Sequence, residues 1–324
     1  MRITKVFQLL MSLFAGAMAC EAGVNFFEFP GGAYAPYWAE RPLEAGDTDA
    51  EFAVIFVHGL SRQPRDQSPT LRALTQNDPR AARVIFAMPA FFSPRNRPEE
   101  LKDRIALWDI REHDWRRGDL SFGEAGISSF AVLDRMYELL SDRQCYPKLK
   151  HILLCGFSAG GQVVNRYVAV GRFARSAHLQ YSFAVGAPST YLYPDGRRPT
   201  AQGTFCEPDP PVAEWDSWHL GLRDRNPYSR DLSRAEIFAN LTARPTLYLC
   251  GEADVEKSGL AISPGAMTQG ENRYRRFLNY RRYVGLFPEW SRQCRFVSVP
   301  KYGHQWRGVA SAPEFVRLIF GERD

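Results

Sequence analysis

The stretch HILLCGFSAGGQVV, residues 151–164, decides the fold. Its first half is a continuously apolar run of strand length. Gly156, Phe157, Ser158, Ala159 and Gly160 then match G-x-S-x-G, and Gly161-Gln162-Val163-Val164 opens a helical pattern. Three fixed residues of average frequency recur by chance in about one chain in ten of this length, so the strand before and the helix after carry the signal. A serine in that setting sits on a tight turn with its hydroxyl exposed. Small residues on either side let strand and helix pass without collision.

Outward from this point the chain repeats the same alternation. Further short apolar runs that end in Gly, Pro or His read as buried strands: FAVIFV (52–57), RVIFAM (83–88), YSFAVGA (181–187), TLYLC (246–250) and RFVSV (295–299). Residues 128–140 place Phe130, Leu133, Tyr137 and Leu140 on one helical face, and 159–170 and 312–320 read similarly. Strand and helix in alternation predict a mostly parallel central sheet with helices on both faces. Residues 189–243 break the rhythm, being rich in Pro, Asp, Arg and aromatics, with a short helical segment near 233–240. They read as a lid-like insertion, and Tyr191, Tyr193, Trp215, Trp218 and Tyr228 argue against disorder there.

A serine hydroxyl is a poor nucleophile at neutral pH and needs a base, which in turn needs a group to orient it. His304 follows the last predicted strand and Asp254 the one before it, so in a parallel sheet both reach the rim that carries Ser158. Glu252 competes with Asp254 for the acid, with Asp195 a more distant alternative. His58-Gly59-Leu60 closes the first of these strands, where a backbone N–H belongs beside a developing oxyanion. The two donors expected are the amides of Leu60 and Ala159. Of the other histidines, His151 starts a strand at the wrong edge, and His113, His178 and His219 fall in loops or helix ends.

Composition bounds the rest. The 324 residues are 45% hydrophobic and 24% charged, the balance of a chain with a core, and a net charge of +5 without a basic stripe excludes a nucleic-acid binder. The cations are almost all arginine. A GC-rich coding sequence accounts for that, with selection by an acidic ligand as the alternative. Residues 1–19 have a positive start, a fourteen-residue apolar run and a small-x-small ending at Ala17-Met18-Ala19, the pattern of a cleaved secretory signal. The mature chain, one domain from residue 20 to 324, is then expected in the periplasm or outside the cell. Cys20 directly after the cleavage point would suit a lipid anchor, although Ala17 stands where such signals carry Leu. Cys155 and Cys250 lie inside strands, which leaves one bridge at most among Cys145, Cys206 and Cys294. No C-x-x-C or H-x-x-x-H pair occurs, so neither a structural metal nor a cofactor is expected.

Taken together, FVHGL, GFSAGGQ, GEAD and the Gly303-His304 pair resemble the α/β-hydrolase fold superfamily over roughly residues 50–320. More narrowly, GFSAGGQVVNRY, APSTYLYPDGRRP and QGENRYRR are similar to a group of exported hydrolases, and the GFSAGG core to polyhydroxybutyrate-depolymerase-like and feruloyl-esterase-like enzymes. The resemblance implies a serine esterase working through Ser158, His304 and Asp254 on a small or polymeric ester. A peptidase or acyltransferase on the same residues, or a non-catalytic binding protein of the same fold, are the alternatives. Trp115, Tyr191, Trp215, Trp218 and Trp306 are candidates to line an aryl-binding cleft. Arg197, Arg198, Arg223 and Arg225 are candidates to meet an acidic group on the substrate.

Overall fold

The computed structural model describes residues 23–61, 68–97, 104–123 and 126–323. The expected leader, residues 1–19, and Cys20 lie outside them. No described helix is long and apolar enough to cross a membrane.

The chain opens with a hairpin of β1 (Val24–Glu28) and β2 (Tyr34–Ala39) and continues through β3 (Phe52–Val57), α1 (Ser68–Thr75) and β4 (Val84–Pro89). It goes on through α2 (Ser129–Leu140), β5 (His151–Phe157), α3 (Ala159–Val170) and β6 (Gln180–Gly186). The short strands β7 (Arg198–Pro199) and β8 (Phe205–Cys206) and the helix α4 (Arg234–Ala243) precede β9 (Thr246–Gly251). The helix α5 (Arg273–Val284), β10 (Cys294–Val299) and α6 (Pro313–Ile319) complete the order. Eight strands form one sheet in the order β1-β2-β4-β3-β5-β6-β9-β10, parallel from β4 to β10. The first two strands are antiparallel.

All six strands read from apolar runs are present: β3, β5 and β9 are buried along their whole length, and β10, at the edge of the sheet, is buried only at Val299. The hairpin of β1 and β2 is not foreseen by the sequence. Its first strand mixes polar and apolar residues, and Pro36 interrupts the second. Proline is tolerated there because pairing with β4 begins only at Tyr37.

Both faces of the sheet are covered, as the register shows. Phe52, His151 and Gln180 lie side by side in β3, β5 and β6. On that face Phe52 meets the ring of Phe320 edge-on, and Phe56, two pleats further, meets Trp306. Tyr181 and Phe183, one pleat out of phase, touch Tyr137 and Phe173 on the other side. The helix α3 is buried through all twelve residues.

Residues 189–243 form the β7–β8 hairpin and α4, and their loops are anchored by buried and half-buried arginines bonded to carbonyls. Arg198 donates to the carbonyls of Asp195, Arg197, Trp215 and Leu220. Arg225 bonds those of Leu222, Ser229, Arg230 and Leu232. Arg244 caps the end of α3 through the carbonyls of Tyr167, Val168 and Gly171. The five described cysteines are all free, so no bridge joins Cys145, Cys206 and Cys294.

His151, at the start of β5, is buried as a neutral ring. Its Nδ1 lies 3.4 Å from the Ile319 carbonyl and its Nε2 has no partner among the described residues. Burial, helped by Arg323, pushes its pKa down to about 4. A depressed folded-state value means that the contribution is complete above the unfolded value of about 6.5 and is lost as pH falls toward 4. We expect the loss to reach about 3 kcal/mol. Denaturant titrations at pH 7 and pH 4.5 should show a smaller acid-side loss in His151→Gln than in the unaltered protein, and equal losses would exclude this histidine as a cause.

Candidate active site

The chain leaves β3 for β4 on one side and later adds β5 on the other, so the strand order reverses at β3. A crevice opens at such a reversal, beyond the C-terminal ends of the strands. The register aligns these ends: Val57 pairs with Gly156, Phe157 with Gly186, and Gly251 with Val299. The loops beyond them are stitched together by backbone bonds from Ser158 to Gly186, Ala187 to Leu249, Glu252 to Val299 and Ala253 to Tyr302.

Ser158 stands between β5 and α3 with φ 57° and ψ −114°, a conformation that L-residues rarely adopt. The neighbouring glycines show what enforces it. A Cβ on Gly160 would lie 2.0 Å from the Val57 carbonyl oxygen, one on Gly161 2.4 Å from that of Gly186, and one on Gly156 2.5 Å from Gly160. Strand and helix therefore cross at backbone contact, and the serine side chain is turned outward.

His304 lies beyond β10 with its Nε2 2.9 Å from the Ser158 Oγ. Its Nδ1 is 2.7 Å from Asp254 Oδ2. The Nδ1–H donates to the carboxylate, which leaves Nε2 with its lone pair toward the hydroxyl. Phe157 stacks on the imidazole at 4.7 Å between centroids and restricts its tilt. Asp254 is fully buried, whereas Glu252 is exposed and Asp195 is paired with Arg197. The fold thus brings together three residues 50 and 146 positions apart in sequence, and leaves both competing acids outside.

Ala159 begins α3, so its N–H is one of the first-turn donors without an acceptor in the helix. Leu60 follows Gly59 at the end of β3 and is 45% exposed. His58 is wholly buried beneath this loop. Its Nε2 accepts the Phe91 N–H, so its Nδ1 carries the proton and donates to the Gly59 carbonyl at 2.7 Å.

The aromatic residues proposed from sequence as a cleft wall divide. Trp115 is fully buried, packed on Phe91 and His58, and Tyr191 is fully buried against Tyr280, so neither lines an open cleft. Their apolar mass was needed under the loops. Trp215 and Trp218 are half-buried and bonded to the carbonyls of Gly196 and Arg117, and among the described residues no hydrogen bond or ring contact joins either to Ser158 or His304. Trp306 packs on Phe157, the ring that stacks on His304. The four arginines proposed to meet an acidic substrate are engaged too. Arg198 and Arg225 bond carbonyls, Arg197 pairs with Asp195, and Arg223 pairs with Asp216. Sequence reasoning missed Phe157 and Arg273, whose Nη1 lies 3.5 Å from Asp254 Oδ1. Phe157 was available as the variable position of the elbow, and Arg273 lies within the QGENRYRR segment.

Two solved structures resemble this one over nearly its whole length. LpqC, a poly(3-hydroxybutyrate) depolymerase from Bordetella parapertussis, is 20% identical with a TM-score of 0.61, the match covering 94% of this chain and 91% of that one. The chain has the α/β-hydrolase fold. Poly(aspartic acid) hydrolase-1 from Sphingomonas sp. KT-1 is similar to the same degree, with a TM-score of 0.61, 20% identity and coverage of 93% and 99%. No family model matches the sequence. No curated protein matches it either. The α/β-hydrolase fold thus persists here at low identity, carried by spacing and packing at the sheet rim.

The glycines give a direct contrast. Gly160→Ala forces a methyl group into the Val57 carbonyl and should leave little folded protein. Gly59→Ala should fold normally, because a Cβ there meets nothing nearer than the Phe157 carbonyl oxygen at 4.0 Å. Circular dichroism melts of the two variants check both outcomes.

Proposed function

We propose that the chain is a serine hydrolase that cleaves carboxylic esters through an acyl-enzyme intermediate. The observation that carries this reading is the continuous hydrogen-bonded chain from the Ser158 hydroxyl through His304 to the buried Asp254. A hydroxyl, a neutral imidazole and a carboxylate in that order form a nucleophile, its base and the group that fixes the base. The likeness to an α/β-hydrolase that is a depolymerase of poly(3-hydroxybutyrate) supports ester chemistry.

In this mechanism Ser158 Oγ forms a bond to the substrate carbonyl carbon while its proton passes to His304 Nε2. The Leu60 and Ala159 amides receive the negative charge on the carbonyl oxygen. Collapse breaks the carbon–oxygen bond to the leaving alcohol, which takes the proton from His304. Water then attacks the acyl group, with His304 again accepting the proton. The acid departs and the proton returns to Ser158 Oγ. Asp254 remains ionised and holds the imidazole tautomer throughout. The same proposal has residues 1–19 exporting the chain, and the domain from residue 20 acting outside the cytoplasm with 189–243 as its insertion.

Ser158→Ala should lower hydrolysis of a p-nitrophenyl acyl ester by on the order of 10⁵ or more. It should also abolish labelling by a fluorophosphonate. Asp254→Asn should cost on the order of 10⁴ by disturbing the His304 tautomer, as loss of the equivalent acid does in serine proteases. Glu252→Gln should change little. A large loss at Glu252 with a mild one at Asp254 would reassign the acid, and peptide or alcohol acceptors consumed in preference to esters and water would reassign the reaction.

A further inference from the structure

We propose that Arg273 is a positioning residue of this site, holding the Asp254 carboxylate aimed at His304. The inference rests on the catalytic reading above and adds to it a group that the serine, histidine and acid do not include.

The carboxylate is divided between two partners. Oδ2 accepts from His304 Nδ1 at 2.7 Å, and Oδ1 faces Arg273 Nη1 at 3.5 Å. Asp254 is 0% exposed and Arg273 2%, so the ion pair is shielded from water on the side away from the serine. A buried carboxylate needs an opposite charge or several donors to remain ionised. Among the described residues Arg273 is the one fixed cation that forms an ion pair with it.

Arg273 also fixes the loop that carries the acid. Its guanidinium donates to the Ser258 carbonyl at 2.8 Å and to that of Glu256 at 3.4 Å. The Tyr274 N–H donates to the carbonyl of Asp254 itself. Arg276, one turn further along α5, bonds the carbonyls of Ser189, Ala261 and Gly270. The first turn of α5 thus clamps residues 254–261 against the end of β6.

The groups around the carboxylate are Cys250 from β9, Tyr191 from the loop after β6, Arg273 with Arg276 behind it from α5, and His304 from the loop after β10. Burial pushes the Cys250 thiol and the Tyr191 phenol well above their ordinary values, so both stay neutral across the working range. The charges beside the carboxylate on the side away from His304 are therefore those of Arg273 and, behind it, Arg276. Removing a cation from behind the acid strengthens the negative field of the carboxylate at the imidazole, and a lysine in its place reverses that.

The test is kcat/KM against pH for a p-nitrophenyl ester with the unaltered enzyme, Arg273→Lys and Arg273→Gln. Arg273→Gln should move the acid limb upward by about one pH unit with KM nearly unchanged. Arg273→Lys, which keeps the charge, should restore the limb to its original position. A merely structural arginine would lower the melting temperature and the active fraction and leave the limb in place in both variants, which overturns the proposal. If Arg273→Gln does not fold, the comparison is made on Asp254→Asn, where removing both members of the pair leaves no uncompensated charge. There the added Arg273→Gln should not slow fluorophosphonate labelling of Ser158 further, and a marked further loss would show that the arginine does not act through the carboxylate. An unaltered enzyme that neither turns over esters nor takes the label would instead refute the catalytic reading itself.

Discussion

The crossing of β5 and α3 leaves no space for a methyl group at Gly156, Gly160 or Gly161, and the geometry of the whole site follows from that contact. Helix and strand can meet at backbone distance only if Ser158 takes up a left-handed φ at the turn. Such a residue stores roughly 1–3 kcal/mol of strain, which the close packing of β3, β5, β6 and a completely buried α3 sustains. Because Gly160 presses on Val57 and Gly161 on Gly186, the elbow is locked to both neighbouring strands. The parallel register then carries the alignment through β9 to β10, where Asp254 and His304 leave the sheet.

A second constraint is the use made of arginine. Arg166, Arg198, Arg244 and Arg276 are buried without a carboxylate partner among the described residues and donate mostly to backbone carbonyls. Burial pushes Arg166 down to about 9 and Arg276 down to about 10, which records the cost of enclosing these cations. The planar guanidinium can bind several carbonyls at once in a fixed geometry, as a lysine ammonium on its flexible stem does not. Irregular loops have carbonyls that no strand or helix satisfies, and these side chains satisfy them. A composition that looks like genome bias, or like preparation for an acidic ligand, therefore has a structural use in holding the loops of residues 189–243 and the acid loop.

The sequence discloses the parallel part of the sheet because β3, β5 and β9 are apolar on both faces, and it discloses the elbow because three glycines and a serine must stand where backbones touch. It conceals β1, whose mixed polarity looks like loop, and β2, which Pro36 interrupts. The positions of Ser158, Asp254 and His304 could be read from strand ends, since a parallel sheet delivers them to one rim. The environment of the acid could not. Nothing in the helical stretch from Arg273 to Val284 distinguishes the arginine that turns inward to Asp254 from Arg275, which pairs on the surface with Glu271. The aromatic residues misled for a related reason: Trp115 and Tyr191 have the composition of a ligand wall, but three-dimensional packing commits them to the interior.

Elbow, clamp and strand ends bear on one proposal, that an acyl group is transferred to the hydroxyl between β5 and α3. The most direct measurement is a crystal structure of the protein after reaction with a small fluorophosphonate. We expect a phosphorus–oxygen bond to Ser158 Oγ, with the phosphoryl oxygen hydrogen-bonded to the amides of Leu60 and Ala159 and the imidazole of His304 beside it. An unmodified serine, or phosphorus attached to any other side chain, would contradict the account.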